Sequence, residues 1–105
     1  MKRSLFCIFF SVLLQVSPPT LALTPVDVEL QLLIDISSSV NATEYNLQMQ
    51  GYSDAFASDS VQNAIINGAI GQIAVQLIMW SSASSQQVMI DWTLVDSVDS
   101  ANNFS

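Results

Sequence analysis

Apolar and polar positions divide the chain into segments of different periodicity. Residues 26–31 alternate between apolar and polar side chains and lead into the continuous apolar run Leu32-Leu33-Ile34. Alternation is typical of a half-buried strand, and a continuous run is typical of a strand that is covered on both faces. We therefore predict a strand that begins half-exposed and ends buried, with Asp35 at its carboxyl end.

The segment after this strand has the periodicity of an amphipathic helix. Asn41 and Glu44 have the spacing of a capping box, which predicts a helix start. Apolar side chains then recur at spacings of four, three and four and form one stripe: Tyr45, Met49, Tyr52 and Phe56. We predict a helix from Ala42 to Ala57, in which Gly51 marks close packing on the sheet. A short second helix is predicted to be capped by Asp59 and to stop at Gly68.

Two further strands are predicted in the second half of the chain. Ile73 to Trp80 is a second apolar run, and a polar turn from Ser81 to Ser85 follows it. Residues 88–94 then alternate, which predicts an edge strand with one dry face, paired with the preceding strand as a hairpin. The dry face would consist of Val88, Ile90, Trp92 and Leu94. Asp96 to Phe104 is predicted to be a loop with the start of another helix.

The order of these elements indicates the α/β class. A helical crossover between two strands implies a parallel pair, so we expect a doubly wound, Rossmann-like and mostly parallel sheet. Three strands are few for a sheet that is covered on both faces. We therefore expect the fold to be truncated after its third strand, with residues 23–105 forming the N-terminal part of a larger domain.

The first 22 residues have the pattern of a secretory signal peptide. Lys2 and Arg3 are the only basic residues of the chain, and an apolar run from Leu5 to Leu14 follows them. A charged start, an apolar run of about 10 residues and a small-residue pair such as Thr20 and Ala22 define such a peptide. This apolar run is too short for a membrane span, which requires about 20 residues. We predict cleavage after Ala22, a secreted or periplasmic product, and no stable membrane span after cleavage.

The remaining residues have a restricted chemistry. Residues 23–105 contain all nine Asp and Glu residues of the chain and no Lys, Arg, His or Cys. The absence of basic side chains excludes phosphate-directed binding of nucleic acid and attraction to anionic membrane surfaces. The absence of His and Cys excludes a Ser-His-Asp triad, a cysteine nucleophile and an ordinary zinc site. Oxygen ligands remain, and they suit hard cations such as Mg²⁺ and Ca²⁺.

A polar cluster directly after the first strand is the candidate site. Asp35, Ser37 and Ser39 are spaced by two, so a loop could turn three oxygen ligands toward one point. On the residues alone, these side chains could simply hydrogen-bond the backbone of a turn. Asp35 could instead be the nucleophile of a hydrolase or phosphoryl-transfer enzyme, although Ser37 occupies the usual position of a second carboxylate. The third interpretation is a divalent-cation site.

The segment Asp35-Ile36-Ser37-Ser38-Ser39 resembles the Asp-x-Ser-x-Ser motif of von Willebrand factor type A (VWA) domains. The resemblance extends over about residues 26–104. It includes Gly71-Gln72-Ile73-Ala74-Val75 and Asp91-Trp92-Thr93-Leu94, which are similar to a bacterial, secreted VWA-like family of uncharacterised function.

The resemblance implies a metal-ion-dependent adhesion site (MIDAS) in which Asp35, Ser37 and Ser39 bind Mg²⁺ or another divalent cation. It also implies an unknown protein partner that could supply an acidic residue to the ion. The VWA pattern further requires a threonine and a second aspartate from later loops. Neither role is carried over to Thr93 or to a later aspartate, so we expect weak cation binding.

The expected function is therefore that of a secreted or periplasmic binding module, not an enzyme. It would mediate a divalent-cation-dependent protein–protein interaction through this partial site. One alternative is a structural or non-functional fragment without metal. The other is a hydrolase or phosphoryl-transfer enzyme that uses Asp35, for which residues 23–105 supply no Lys or Arg to bind phosphate.

Overall fold

The computed structural model describes residues 23–105, and the predicted signal peptide, residues 1–22, lies outside the described residues. Three strands and three helices are present in this part of the chain. In chain order they are β1 (Glu29–Asp35), α1 (Ala42–Ala57), α2 (Asp59–Ile66), β2 (Ile73–Ser82), β3 (Ser85–Val95) and α3 (Val98–Phe104). The predicted α/β class is confirmed.

The three strands form one mixed sheet in the order β1-β2-β3. β1 runs parallel to β2, with Asp35 beside Trp80, as the helical crossover between them predicts. β2 and β3 are antiparallel, which confirms the hairpin. The turn is shorter than predicted, because β2 continues to Ser82 and β3 already begins at Ser85.

One face of the sheet carries the core, and all three helices pack on that face. Ile34, Val75 and Val95 are fully buried there. The rest of the buried apolar cluster comes from both the strands and the helices: Leu32, Phe56, Ile65, Ile73, Leu77 and Ala101. Phe56 of α1 and Phe104 of α3 also contact each other, with their ring centroids 4.7 Å apart.

The opposite face of the sheet is open, and this corrects the prediction for β1. Leu33 was expected to lie inside a fully covered run, but its side chain is 52% exposed. Leu32 and Ile34 on either side of it are buried, so the strand alternates to its end. The apolar run is compatible with burial on both faces, but helices cover only one face of the described residues.

The dry face predicted for β3 is also wrong. Ile90 pairs with Leu77 and Thr93 pairs with Val75, with a register shift between these pairs. Such a bulge places an extra residue in one strand and reverses the faces of the side chains beyond it. Trp92 and Leu94 therefore lie on the open face, while Ile90 lies on the same face as Leu77. All four residues assigned to a dry face are exposed, and the buried residue of this strand is Val95.

A row of polar side chains crosses the open face. The Nε2 of Gln31 donates to the Oε1 of Gln76 over 2.8 Å, and the Nε2 of Gln76 donates to Asp91 Oδ1 over 3.4 Å. Gln76 is buried even though it lies on this face. The row joins one residue from each strand.

Helix α1 begins and ends where the sequence predicts. Asn41 and Glu44 form the capping box, each accepting the other's backbone N–H over 2.9 Å. The apolar stripe packs against the core, with Phe56 fully covered. The explanation offered for Gly51 is wrong, because this residue is exposed and a methyl group added to it would meet nothing within 4 Å.

Helix α2 has a different cap from the predicted one. The hydroxyl of Ser58 accepts the N–H of Val61, and Asp59 lies inside the first turn. A carboxylate in the first turn still favours the helix, because the N-terminal end carries a partial positive charge. The helix stops at Ile66, one residue before its C-cap Asn67 and two before Gly68.

The start of β1 is fixed by Asp27. Its Oδ1 accepts the N–H of Ile70 over 2.9 Å, and its Oδ2 accepts the N–H of Gly71 over 2.8 Å. The backbone N–H of Asp27 donates to the carbonyl of Gln72. Gly71 has a φ of +87°, which is the left-handed region that favours glycine. This Asp27 clamp ties the segment before β1 to the loop before β2.

Candidate metal site

The candidate site lies at the carboxyl end of β1, where the chain leaves the sheet. Asp35 is the last residue of the strand, and the N–H of Ile36 still donates to the carbonyl of Trp80 over 2.9 Å. A tight turn follows, closed by a 2.9 Å hydrogen bond from the N–H of Val40 to the carbonyl of Ser37. In α/β sheets, ligands bind beyond the carboxyl ends of parallel strands.

The structure brings the three predicted ligands together in this turn. Asp35 Oδ1 accepts the N–H of Ser37 over 2.8 Å, and the hydroxyl oxygens of Ser37 and Ser39 lie 3.2 Å apart. Adjacent ligands of an octahedral Mg²⁺ ion, each about 2.1 Å from the metal, are about 3 Å from one another. The spacing of the two hydroxyls therefore fits two neighbouring positions of one coordination sphere.

The site presents its charge to solvent. The hydroxyl of Ser37, together with the N–H of the same residue, lowers the pKa of the Asp35 carboxyl below its ordinary value. Asp35 and Ser37 are half-buried, and Ser39 is exposed. The group is thus an ionised carboxylate beside two hydroxyls, which is a donor set for a hard cation.

The other residues considered for a cation site do not join this cluster. Thr93 pairs with Val75, five positions along β2 from Trp80, so it lies toward the other end of the sheet. Its hydroxyl donates to the carbonyl of Asp91, and Asp96 accepts from the hydroxyl of Ser100. Within residues 23–105, no group of three His, Cys, Asp or Glu side chains could hold a metal ion. The cluster offers one carboxylate and two hydroxyls, and cation binding there stays a prediction.

Sequence reasoning missed one residue of the site, Gln48 of α1. Its Oε1 accepts the backbone N–H of Asp35 over 3.1 Å, and its Nε2 donates to the carbonyl of Asp35 over 3.0 Å. Gln48 follows Tyr45 by three positions and precedes Met49, so it is a polar residue beside the apolar stripe. That position is a signal that the side chain faces the protein.

A mostly apolar cavity lies elsewhere in the molecule. It has a volume of about 730 Å³ and opens between β1, α1 and α2, with a mostly apolar lining that includes Leu30, Tyr52 and Val61. Asp27 and Gly68 also line it, but none of the three predicted ligands does. The cavity therefore adds nothing to the candidate metal site.

Comparison with known proteins identifies the family of the chain. No curated protein and no solved structure is significantly similar to it. Among the described residues, no helix has the length and the hydrophobicity that crossing a bilayer requires. A family model does match residues 25–105, and its description is "Protein of unknown function (DUF1194)". The match covers most of the sequence, so the chain belongs to the DUF1194 family.

Proposed function

We propose that the protein is a VWA-like binding module that engages a protein partner through a divalent cation, Mg²⁺ or a similar ion, held by Asp35, Ser37 and Ser39. The ion would supply a positive charge at a surface that is otherwise acidic, since residues 23–105 contain no basic side chain. The partner would complete the site with an acidic side chain of its own. The predicted signal peptide would direct the module to a secreted or periplasmic location.

The observation that supports this proposal most directly is the 3.2 Å separation of the Ser37 and Ser39 hydroxyl oxygens beside the Asp35 carboxylate. The two hydroxyls need no large rearrangement to share an ion. The turn lies at the carboxyl end of a parallel strand, which is where this fold class binds ligands. Two neutral ligands and one charged ligand also predict an affinity lower than that of sites with several carboxylates.

A second candidate is a structural turn without metal. The hydrogen bond from the N–H of Ser37 to Asp35 Oδ1 is the bond of an Asx turn, and it stabilises the chain locally whether or not an ion binds. In this case the serine hydroxyls serve only the turn. The two candidates differ in whether the full chain binds Mg²⁺.

The first experiment is calorimetric titration of the full chain with Mg²⁺. We expect weak, saturable binding that Asp35→Ala and Ser37→Ala each abolish, since each removes one of only three protein ligands. Ser38→Ala is the matched control, because Ser38 is exposed and occupies a variable position of the motif. Circular dichroism of each variant checks that it remains folded.

Two results would contradict the cation site. One is unchanged Mg²⁺ binding in folded Asp35→Ala and Ser37→Ala, and the other is the absence of saturable binding in the wild type. The second result would favour the structural turn.

A further inference from the structure

The backbone groups of Asp35 point away from the sheet. In a parallel ladder, alternate residues of a strand direct their N–H and C=O toward one neighbour. The carbonyl of Val28 accepts from Ala74, and the N–H of Ile36 donates to Trp80, so the even-numbered residues of this strand face β2. Asp35 lies between two of them, and its N–H and C=O therefore face the outer edge.

The side chain of Gln48 hydrogen-bonds both of these outward-facing backbone groups. Its amide oxygen accepts from the N–H of Asp35 over 3.1 Å, and its amide nitrogen donates to the carbonyl of the same residue over 3.0 Å. A primary amide offers a donor and an acceptor side by side, as the N–H and C=O of one residue in a neighbouring antiparallel strand would. Gln48 thus replaces a strand partner at this single residue.

These bonds act directly on the candidate ligand set. They fix the peptide of the residue that carries the carboxylate, and the hydrogen bond from the N–H of Ser37 to Asp35 Oδ1 links that carboxylate to the serine turn. On the other side of the chain, the bond from the N–H of Ile36 to the carbonyl of Trp80 holds the same Asp35–Ile36 peptide to β2. The start of the turn is therefore held from both sides, by β2 and by α1.

We propose that Gln48 is a positioning residue for the cation site. It touches none of the expected ligand oxygens, and it orients the Asp35 peptide so that the carboxylate stays beside the two serine hydroxyls. This inference rests on the proposed cation site. Residues that orient a metal ligand through hydrogen bonds typically contribute about 10- to 100-fold in metal affinity.

The test uses the full chain with Gln48→Met, which keeps the length and the apolar stem of the side chain but removes both hydrogen bonds. Gln50→Met is the matched control, because Gln50 is exposed on the same helix and bonds only Asp54 among the described residues. Hydrogen exchange of the Asp35 amide, measured without metal, reports the positioning contact. Calorimetric titration with Mg²⁺ then measures the affinity of each variant.

For Gln48→Met we expect faster exchange at the Asp35 amide, unchanged exchange at the buried strand residue Val75, and a loss of Mg²⁺ affinity of about 10-fold or more. Gln50→Met should match the wild type in every measurement. If Gln48→Met does not fold, Gln48→Asn takes its place, since it keeps the amide but is one methylene too short to reach both backbone groups.

The two proposals fail in distinguishable ways. Wild-type protein that binds Mg²⁺, together with a folded Gln48 variant of equal affinity, overturns the positioning role alone. Unchanged exchange at Asp35 in that variant also overturns it, because the contact would then not protect the peptide. Wild-type protein that binds no Mg²⁺ overturns the cation site, and the positioning role with it.

Discussion

Two aspartates flank β1, Asp27 two residues before it and Asp35 as its last residue, and the two carboxylates make different contacts. Both carboxylate oxygens of Asp27 accept backbone N–H groups, those of Ile70 and Gly71. Asp35 accepts the N–H of Ser37 at Oδ1 and has serine hydroxyls beside it. Backbone hydrogen bonds from Ile70 and Gly71 lower the pKa of Asp27, and the hydroxyl and N–H of Ser37 lower that of Asp35.

The difference lies in what surrounds each carboxylate. The donors around Asp27 are backbone groups of a distant loop, at Ile70 and Gly71, which lie 43 and 44 positions further along the chain. Asp27 therefore joins two segments that are far apart in sequence. The donors around Asp35 lie within the next few residues and include hydroxyls, whose oxygens can also bind a cation. A lowered pKa is therefore common to both residues and does not identify the site. The two residues differ in the type of neighbouring group.

Replacing each aspartate in turn by alanine is the strongest test of this comparison. Asp27→Ala removes both carboxylate bonds to the loop before β2, so we expect it to lower the midpoint of urea denaturation clearly more than Asp35→Ala does. For Mg²⁺ binding by the folded protein we expect the reverse, with Asp35→Ala abolishing it and Asp27→Ala leaving it unchanged. Equal effects of the two substitutions in both measurements would contradict the division of roles.

A substitution at Gly71 tests the Asp27 end alone. Gly71→Ala places a side chain at a φ of +87°, and its Cβ would lie 3.1 Å from the carbonyl oxygen of Ile66. The left-handed conformation costs a non-glycine residue roughly 1–2 kcal/mol, and urea denaturation should show a loss of at least this size. Gly71→Asn is the matched control and should lose less, because Asn tolerates this conformation better. An equal loss in both variants would mean that crowding, not backbone conformation, is the cause.

A substitution at Gly51 should have the smallest effect, and it should be stabilising. Gly51 is exposed inside α1, and an added methyl group meets nothing within 4 Å. Replacing such a glycine by alanine typically raises the free energy of unfolding by about 0.4–1 kcal/mol. Urea denaturation of Gly51→Ala should show this gain with Mg²⁺ binding unchanged. A loss of stability would contradict this prediction, because it would mean that the added methyl group collides with neighbouring atoms.

The features that the sequence predicted well are local ones. The start of α1 depends on Asn41 and Glu44, which are three positions apart, and the bounds of the helix follow from its periodicity. The turn that brings Asp35, Ser37 and Ser39 together was also predicted, because these residues lie within five consecutive positions. Short-range hydrogen bonds of this kind can be predicted without knowledge of the rest of the fold.

The features that the sequence did not predict depend on distant parts of the chain. The apolar character of Leu33 does not tell whether a helix covers that face of the sheet. The alternation of β3 does not reveal the bulge near Asp91, since a register shift is set by pairing with β2. Gln48 reaches Asp35 across 13 positions, and only the packing of α1 against β1 brings the two together.

The polar row across the open face has a consequence for how the strands find their alignment. Moving β1 by one residue against β2 would turn Gln31 to the opposite face, and moving it by two would set Gln31 beside an apolar neighbour of Gln76. Either slip would leave Oε1 of the buried Gln76 without its donor Gln31, at a cost of about 1–3 kcal/mol. The hydrogen bonds among Gln31, Gln76 and Asp91 therefore help to specify the register of the strands. They penalise even a slip by two residues, which leaves every side chain of β1 on its own face of the sheet.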